Sequence, residues 1–195
     1  PSVFTAHDLG YLHYPEKHPF FERLYLDWST RHSASVARRV IAVSNATAHD
    51  LHTLNGVPLS KIRVVHSGVD ETLAPVRDKQ RIEALKQRLG IHGPYVLHVG
   101  SLQPRKNLVR LIEAFDQVKD AVPGLLLVLA GRPGWNVQPI HDRISALGLE
   151  GRVLLPGYVP DDDLAALYSG AEVYAFPSLY EGFGFPALET MKCGT

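Results

Sequence analysis

From residue 79 onward, short apolar runs alternate with amphipathic stretches. "PYVLHVG", "GLLLVLAG", "RVLLPG" and "EVYAFPS" are strand-length and rich in Val and Leu. Between the first two lies "NLVRLIEAFDQVKD", with Leu108, Leu111, Ile112, Phe115 and Val118 on one helical face. "QPIHDRISALG" and "PDDDLAALYSG" continue the alternation. The second opens with three acids, which favour the positive end of a helix macrodipole. "QRIEALKQRLG" precedes the block and ends on Gly90, and "FPALETMKCG" starts a helix after it. Apolar strands alternating with helices predict a mostly parallel sheet covered on both faces.

Residues 1–70 carry a looser form of the same pattern. "PSVFTAHD" reads as extended, "VIAVS" as a compact strand, and "KIRVVHSGVD" as a strand leaving into a turn. Phe21, Leu24, Tyr25 and Trp28 recur at helical spacing. "NATAHDLHTLNG" reads as a helix that Ser44 or Asn45 caps and Gly56 ends. Residues 71–78 hold a proline and charges but little apolar material, so a linker is expected there, between units at 1–70 and 79–195. The expected class is α/β, doubly wound.

Composition narrows the function. At 45% hydrophobic, the chain has material for a core. Lys plus Arg equals Asp plus Glu at 20 each, which argues against a nucleic-acid partner or a polybasic membrane patch. The single cysteine, Cys193, forms no internal disulfide and fits a reducing, cytoplasmic setting. No apolar run approaches the roughly 20 residues that span a bilayer. The chain opens on proline and closes on "MKCGT" within a helical pattern, so continuation is expected at both ends.

In doubly wound sheets, ligands bind beyond the carboxyl ends of the strands. In "HVGSLQPRKNL", Gly100 lets backbone approach a ligand, followed by Ser101. Arg105 and Lys106 stand before the next helix. Two cations at a helix N-terminus suit a diphosphate, and a solvated basic pair is the plainer alternative. In "AGRPGWN", Arg132 and Trp135 stand on a glycine turn. Trp135 either stacks on a ring or caps the core. In "PGYVPDDDL", Gly157 and Tyr158 either lie along a flat base or form an ordinary turn, and the three aspartates fit a helix start better than a metal site.

"LYEGFGFPALE" completes the set. Gly182 and Gly184 flank Phe183, which bares backbone toward a ligand. Pro186 suits a helix start. Glu189 sits about one turn in, where a carboxylate accepts from vicinal hydroxyls, and Glu181 lies on the loop before it. The sequence has no dinucleotide glycine fingerprint, phosphate-loop lysine, H-E-x-x-H or G-x-S-x-G. A metal site is therefore not expected.

These residues together resemble glycosyltransferase family 4. "HVGSLQPRKNLVRLIEAF", "LLLVLAGRPGW" and "VLLPGYVPDDDLAALYSGAEVYAFPSLYEGFGFPALETMKCGT" carry the likeness. "TAHDLGYLHYPEKHP" and "VIAVSNATAHDL" are similar to its bacterial mannosyl- and rhamnosyl-type members. The resemblance implies a GT-B fold, two Rossmann-like domains facing a cleft, truncated at both ends here. Residues 1–70 would be the latter half of the acceptor-side domain and 79–195 most of the donor domain.

It further implies retention of anomeric configuration and a nucleoside diphosphate sugar donor, with GDP-mannose favoured. No cofactor or metal is expected. Arg105 and Lys106 would neutralise the diphosphate. Glu189 would bind ribose hydroxyls, and Glu181 the donor sugar. The backbone of Gly182, Phe183 and Gly184 would hold sugar and phosphate, and Tyr158 would lie near the base. His7, in "AHD", would reach the sugar from across the cleft. Where many relatives carry arginine after the strand-end glycine, this chain has Ser101.

The implied acceptor is a glycan or lipid-linked sugar in bacterial polysaccharide synthesis. Attachment to the inner face of a membrane would run through segments outside 1–195, and the fragment alone is expected to be inactive. A non-catalytic nucleotide-sugar-binding module or partner subunit is the alternative. A two-carboxylate glycosidase and a sugar-nucleotide epimerase fit less well.

Overall fold

The structure, a computed structural model, describes residues 2–195. The chain forms two compact units. One runs up to Gly68 and includes Tyr180–Gly184; the other comprises Val69–Leu179 and Phe185–Thr195. Residues 65–78 form neither helix nor strand.

The first unit contains β1 (Val3–Ala6), α1 (Gly10–His13), α2 (Phe20–Val36), β2 (Arg39–Ala42), α3 (Asn45–Thr53) and β3 (Ile62–Val64). Its three strands lie side by side in chain order, all parallel, with Phe4 opposite Val40 and Val40 opposite Ile62. Ala6, Leu9, Val40, Leu51 and Ile62 form its core. Ser44 caps α3, its hydroxyl accepting from the Thr47 N–H at 3.1 Å.

The helical spacing read at Phe21, Leu24, Tyr25 and Trp28 does produce α2, but that stripe is not its buried face. Phe21 is 82% exposed and Trp28 63%. Ala34 and Leu26 pack on the core instead. The small alanine lets the helix sit close to the sheet, on a face the large residues do not mark.

The second unit contains α4 (Lys79–Leu89), β4 (Tyr95–Val99), α5 (Leu108–Val118), β5 (Leu126–Ala130), α6 (Gln138–Ala146), β6 (Val153–Gly157), α7 (Asp161–Ser169), β7 (Val173–Tyr174) and α8 (Phe185–Lys192). Its parallel sheet runs β6–β5–β4–β7. Every β5 residue is buried. Leu126, Val128 and Ala130 face a core shared with Leu85 and Leu167, and Leu127 and Leu129 one shared with Ile112 and Ile144. That two-sided burial explains the unbroken apolar run "LLVLA". Each fully buried leucine there stabilises the fold by roughly 1.5–3 kcal/mol.

Two details differ from the sequence expectation. Val118 ends the α5 stripe yet is 48% exposed, because the helix runs past the edge of the core. The strand read over "EVYAFPS" is only Val173–Tyr174, with one further bond from the Ala175 N–H to the Leu97 carbonyl at 2.8 Å. Pro177 follows, and proline brings no N–H to a ladder. Successive strands step outward from β4 to β6, and β7 then returns to the other side of β4. This reversal places a crevice at the carboxyl end of β4.

Candidate functional site

The loops after β4 and β5 are joined through backbone. The Leu102 N–H donates to the Arg132 carbonyl, and the Gly134 N–H to the Leu102 carbonyl, both at 3.0 Å. A Cβ on Gly131 would lie 1.9 Å from the Gly100 carbonyl oxygen, and its φ is +152°. Only glycine permits this approach.

Beside this seam is a cavity of about 280 Å³ lined by Gly100, Ser101, Arg132, Tyr158, Asp161 and Leu164 among others. The Arg132 guanidinium carbon stands 4.6 Å from the centre of the Tyr158 ring. A flat ring, a stacked cation and apolar walls from Val99, Val159 and Leu164 suit a planar aromatic ligand. Gly100, Ser101, Arg132 and Tyr158 are thus brought together. Leu164 also lines the cavity and was not singled out from sequence, and Asp161, read there only as part of a helix start, lines it too.

Arg105 and Lys106 sit on a separate 3-10 turn, Pro104–Lys106. Asn107, at φ 57°, separates that turn from α5, so the pair precedes the helix rather than occupying its first turn. Lys106 is only 7% exposed. Its Nζ would be 3.8 Å from a Cβ placed on Gly100. That depth distinguishes it from a solvated basic side chain and puts its ammonium group at the end of β4. The loops after β4 and β7 are tied together here. The Leu179 N–H donates to the Arg105 carbonyl at 3.0 Å, and Asn107 Nδ2 to the Pro177 carbonyl at 3.2 Å.

Glu189, on α8, lines a larger cavity of about 770 Å³ that shares Asp161 and Leu164 with the smaller one. Tyr168, on α7, donates its hydroxyl to Glu189 Oε2 at 2.7 Å. Burial, then the Glu189 carboxylate, pushes the Tyr168 phenol far above its usual range, so it stays protonated and donates.

His7, Glu181, Gly182, Phe183 and Gly184 belong to the first unit. A Cβ on Gly182 would lie 1.7 Å from the His7 carbonyl oxygen. The Thr47 hydroxyl is 3.4 Å from that oxygen and 3.5 Å from the Gly182 carbonyl. The Phe183 and His66 ring centres are 6.1 Å apart. Gly184 adopts φ 89°. Asp50, 6% exposed, accepts from Tyr180 and pairs with His13 at 2.9 Å. Thr47, Asp50 and Tyr180 were missed from sequence, where nothing local sets them apart. The twelve residues read as one site therefore fall into two sets, one in each unit.

Among the described residues, no group of three or more His, Cys, Asp or Glu could hold a metal ion. None of their helices is long and apolar enough to cross a membrane. Asp163 of the acidic triplet pairs with Arg88 at 2.5 Å.

The family described as "Glycosyl transferases group 1" matches residues 81–195, and "Glycosyltransferase Family 4" matches residues 1–73. O-antigen chain mannosyltransferase B of Escherichia coli is 31% identical over 198 residues, covering 99% of this chain and 51% of that protein. Mannosylfructose-phosphate synthase of Agrobacterium fabrum is 32% identical over 215 residues, covering 100% of this chain and 47% of that protein. The chain thus spans about half the length of these two relatives.

Among solved structures, Anabaena HepE in complex with UDP and glucose superposes with a TM-score of 0.81 at 27% identity, covering 100% of this chain and 51% of that one. Such structural neighbours are GT-B glycosyltransferases, which fits the two parallel α/β sheets found here. With the match to residues 81–195 spanning more than half of its length, the chain belongs to the glycosyl transferases group 1 family.

Proposed function

We propose that the protein is a retaining glycosyltransferase that moves a hexose, with mannose favoured, from a nucleoside diphosphate sugar to a glycan or lipid-linked acceptor in bacterial polysaccharide synthesis. The observation that carries this reading is the buried Lys106 ammonium at the end of β4, beside the cavity stacked by Arg132 and Tyr158. The mannosyltransferase B relative supports the choice of mannose.

The difficult step is cleavage of the anomeric C–O bond to a diphosphate. Negative charge grows on the leaving phosphate, and fixed cations there lower the barrier. We assign that role to Lys106 and Arg105. The base takes the cavity under Tyr158 and Arg132, beside Gly100 and Ser101, and Glu189 takes the ribose hydroxyls. In the first unit, Glu181, the backbone of Gly182, Phe183 and Gly184, and His7 are assigned to the transferred sugar. Attack occurs on the face from which the diphosphate departs, and that phosphate takes the acceptor proton. No carboxylate acts as a nucleophile, and no metal is required because side chains supply the positive charge.

A uridine donor is the second reading, favoured by HepE, which was solved with UDP and with UDP-glucose. Assay of the full-length protein with GDP-mannose, UDP-glucose and a lipid-linked acceptor separates the two. Transfer from GDP-mannose, with the anomeric configuration retained in the product NMR spectrum, supports the main reading. Transfer from UDP-glucose alone supports the second. Donor binding without transfer or hydrolysis would contradict both and leave a binding module.

A further inference from the structure

Tyr168 lies in the last turn of α7 and is fully buried. Both its ring and the backbone around it are held. Tyr174 meets it edge-on at 6.0 Å between ring centres. Thr195 Oγ1 donates to the Tyr168 carbonyl at 2.6 Å, and Ser169 Oγ to the Cys193 carbonyl at 3.1 Å, which ties the end of α7 to the end of α8. The Tyr168 hydroxyl donates to Glu189 Oε2 at 2.7 Å.

We propose that Tyr168 is a positioning residue that fixes the Glu189 carboxylate for the vicinal hydroxyls of the donor ribose; this rests on the assignment of Glu189 given above. An ionised carboxylate has about four lone-pair sites. Tyr168 engages one, on the side of the protein core. With one oxygen pinned, the plane of the group is set, and its remaining sites are presented to the cavity that Glu189 lines. A glutamate on a helix otherwise samples several rotamers and must be ordered on binding.

The ligand pair GDP and 2′,3′-dideoxy-GDP reads this directly, by calorimetry on the full-length protein. The wild type binds GDP more tightly than the dideoxy form. Tyr168→Phe keeps the ring and removes only the hydroxyl. It is expected to weaken GDP about tenfold, the scale of a hydrogen bond to a charged group. Binding of the dideoxy form and turnover at saturating donor stay near wild type. A wild-type ratio in Tyr168→Phe overturns the proposal alone, and so does equal weakening of both ligands, the mark of a purely structural role.

If the wild type itself shows no preference, the ribose assignment of Glu189 falls and this proposal falls with it. If Tyr168→Phe does not fold, Tyr168→Phe/Glu189→Gln carries the test, since it also removes the half-buried carboxylate left without its donor. Its GDP preference should equal that of Glu189→Gln alone, and any further loss contradicts an action through Glu189.

Discussion

The Tyr180 hydroxyl donates to Asp50 Oδ2 at 2.5 Å, linking residues 130 positions apart. The rings of Tyr180 and His13 stack at 4.8 Å, and His13 Nε2 reaches the same carboxylate oxygen. Asp50, 6% exposed, therefore gathers both groups, and Tyr180 is next in sequence to the Glu181–Gly184 loop. Tyr180→Phe removes one donor from a buried carboxylate. It should cost about 1.5–3 kcal/mol, the range for a hydrogen bond to a charged group. Amide hydrogen exchange in residues 180–184 should accelerate to match, and unchanged protection there would count against it.

Gly131 and Gly182 each face a carbonyl oxygen closer than any side chain tolerates, 1.9 Å and 1.7 Å from an added Cβ. The obstacle is backbone in both cases, so no rotamer change relieves it. Gly131→Ala and Gly182→Ala should each destabilise by about 1–3 kcal/mol, as overpacking does. Thermal unfolding by circular dichroism measures this, and wild-type midpoints would refute the close approach.

Tyr95, Tyr168 and Tyr180 all have phenol pKa values raised, chiefly by burial. Tyr95 also donates to the Leu167 carbonyl at 2.7 Å. Above about pH 10 the unfolded phenols ionise while the folded ones keep their protons. The folded state then binds more protons, so stability falls as pH rises. Urea midpoints should hold level below about pH 10 and decline above it, and Tyr95→Phe should flatten that decline. An alkaline slope unchanged in Tyr95→Phe would contradict the assignment.

Activity of the full-length protein should survive chelation. Lys106 and Arg105 supply the positive charge in the proposed mechanism, so EDTA treatment followed by desalting should leave turnover near its starting value. Strict dependence on an added divalent ion would speak for a different mechanism.

Residues differ in how much of their role the sequence discloses. "LLVLA" was legible because β5 is buried on both faces and carries no polar position. The α2 helix was legible, but not its orientation: spacing of Phe21, Leu24, Tyr25 and Trp28 reports helical period, while Ala34 fixes which side meets the sheet. Gly100, Ser101, Arg132 and Tyr158 could be grouped in advance because neighbouring parallel strands bring their carboxyl ends together. The placement of Tyr180–Gly184 in the first unit was not legible. It involves Asp50 and Thr47, distant in sequence and carrying no periodic signal. Tyr168 was hidden for a simpler reason: a tyrosine inside "LAALYSG" looks like any core residue.

Lys106, its Nζ 3.8 Å from a Cβ placed on Gly100, is assigned to stabilise the departing diphosphate. The decisive measurement is single-turnover transfer by Lys106→Ala at saturating donor. Loss of one such charge-stabilising group typically costs about 100- to 1,000-fold in rate. A fall of that size with donor still bound is expected, and a rate near wild type would overturn the role given to Lys106.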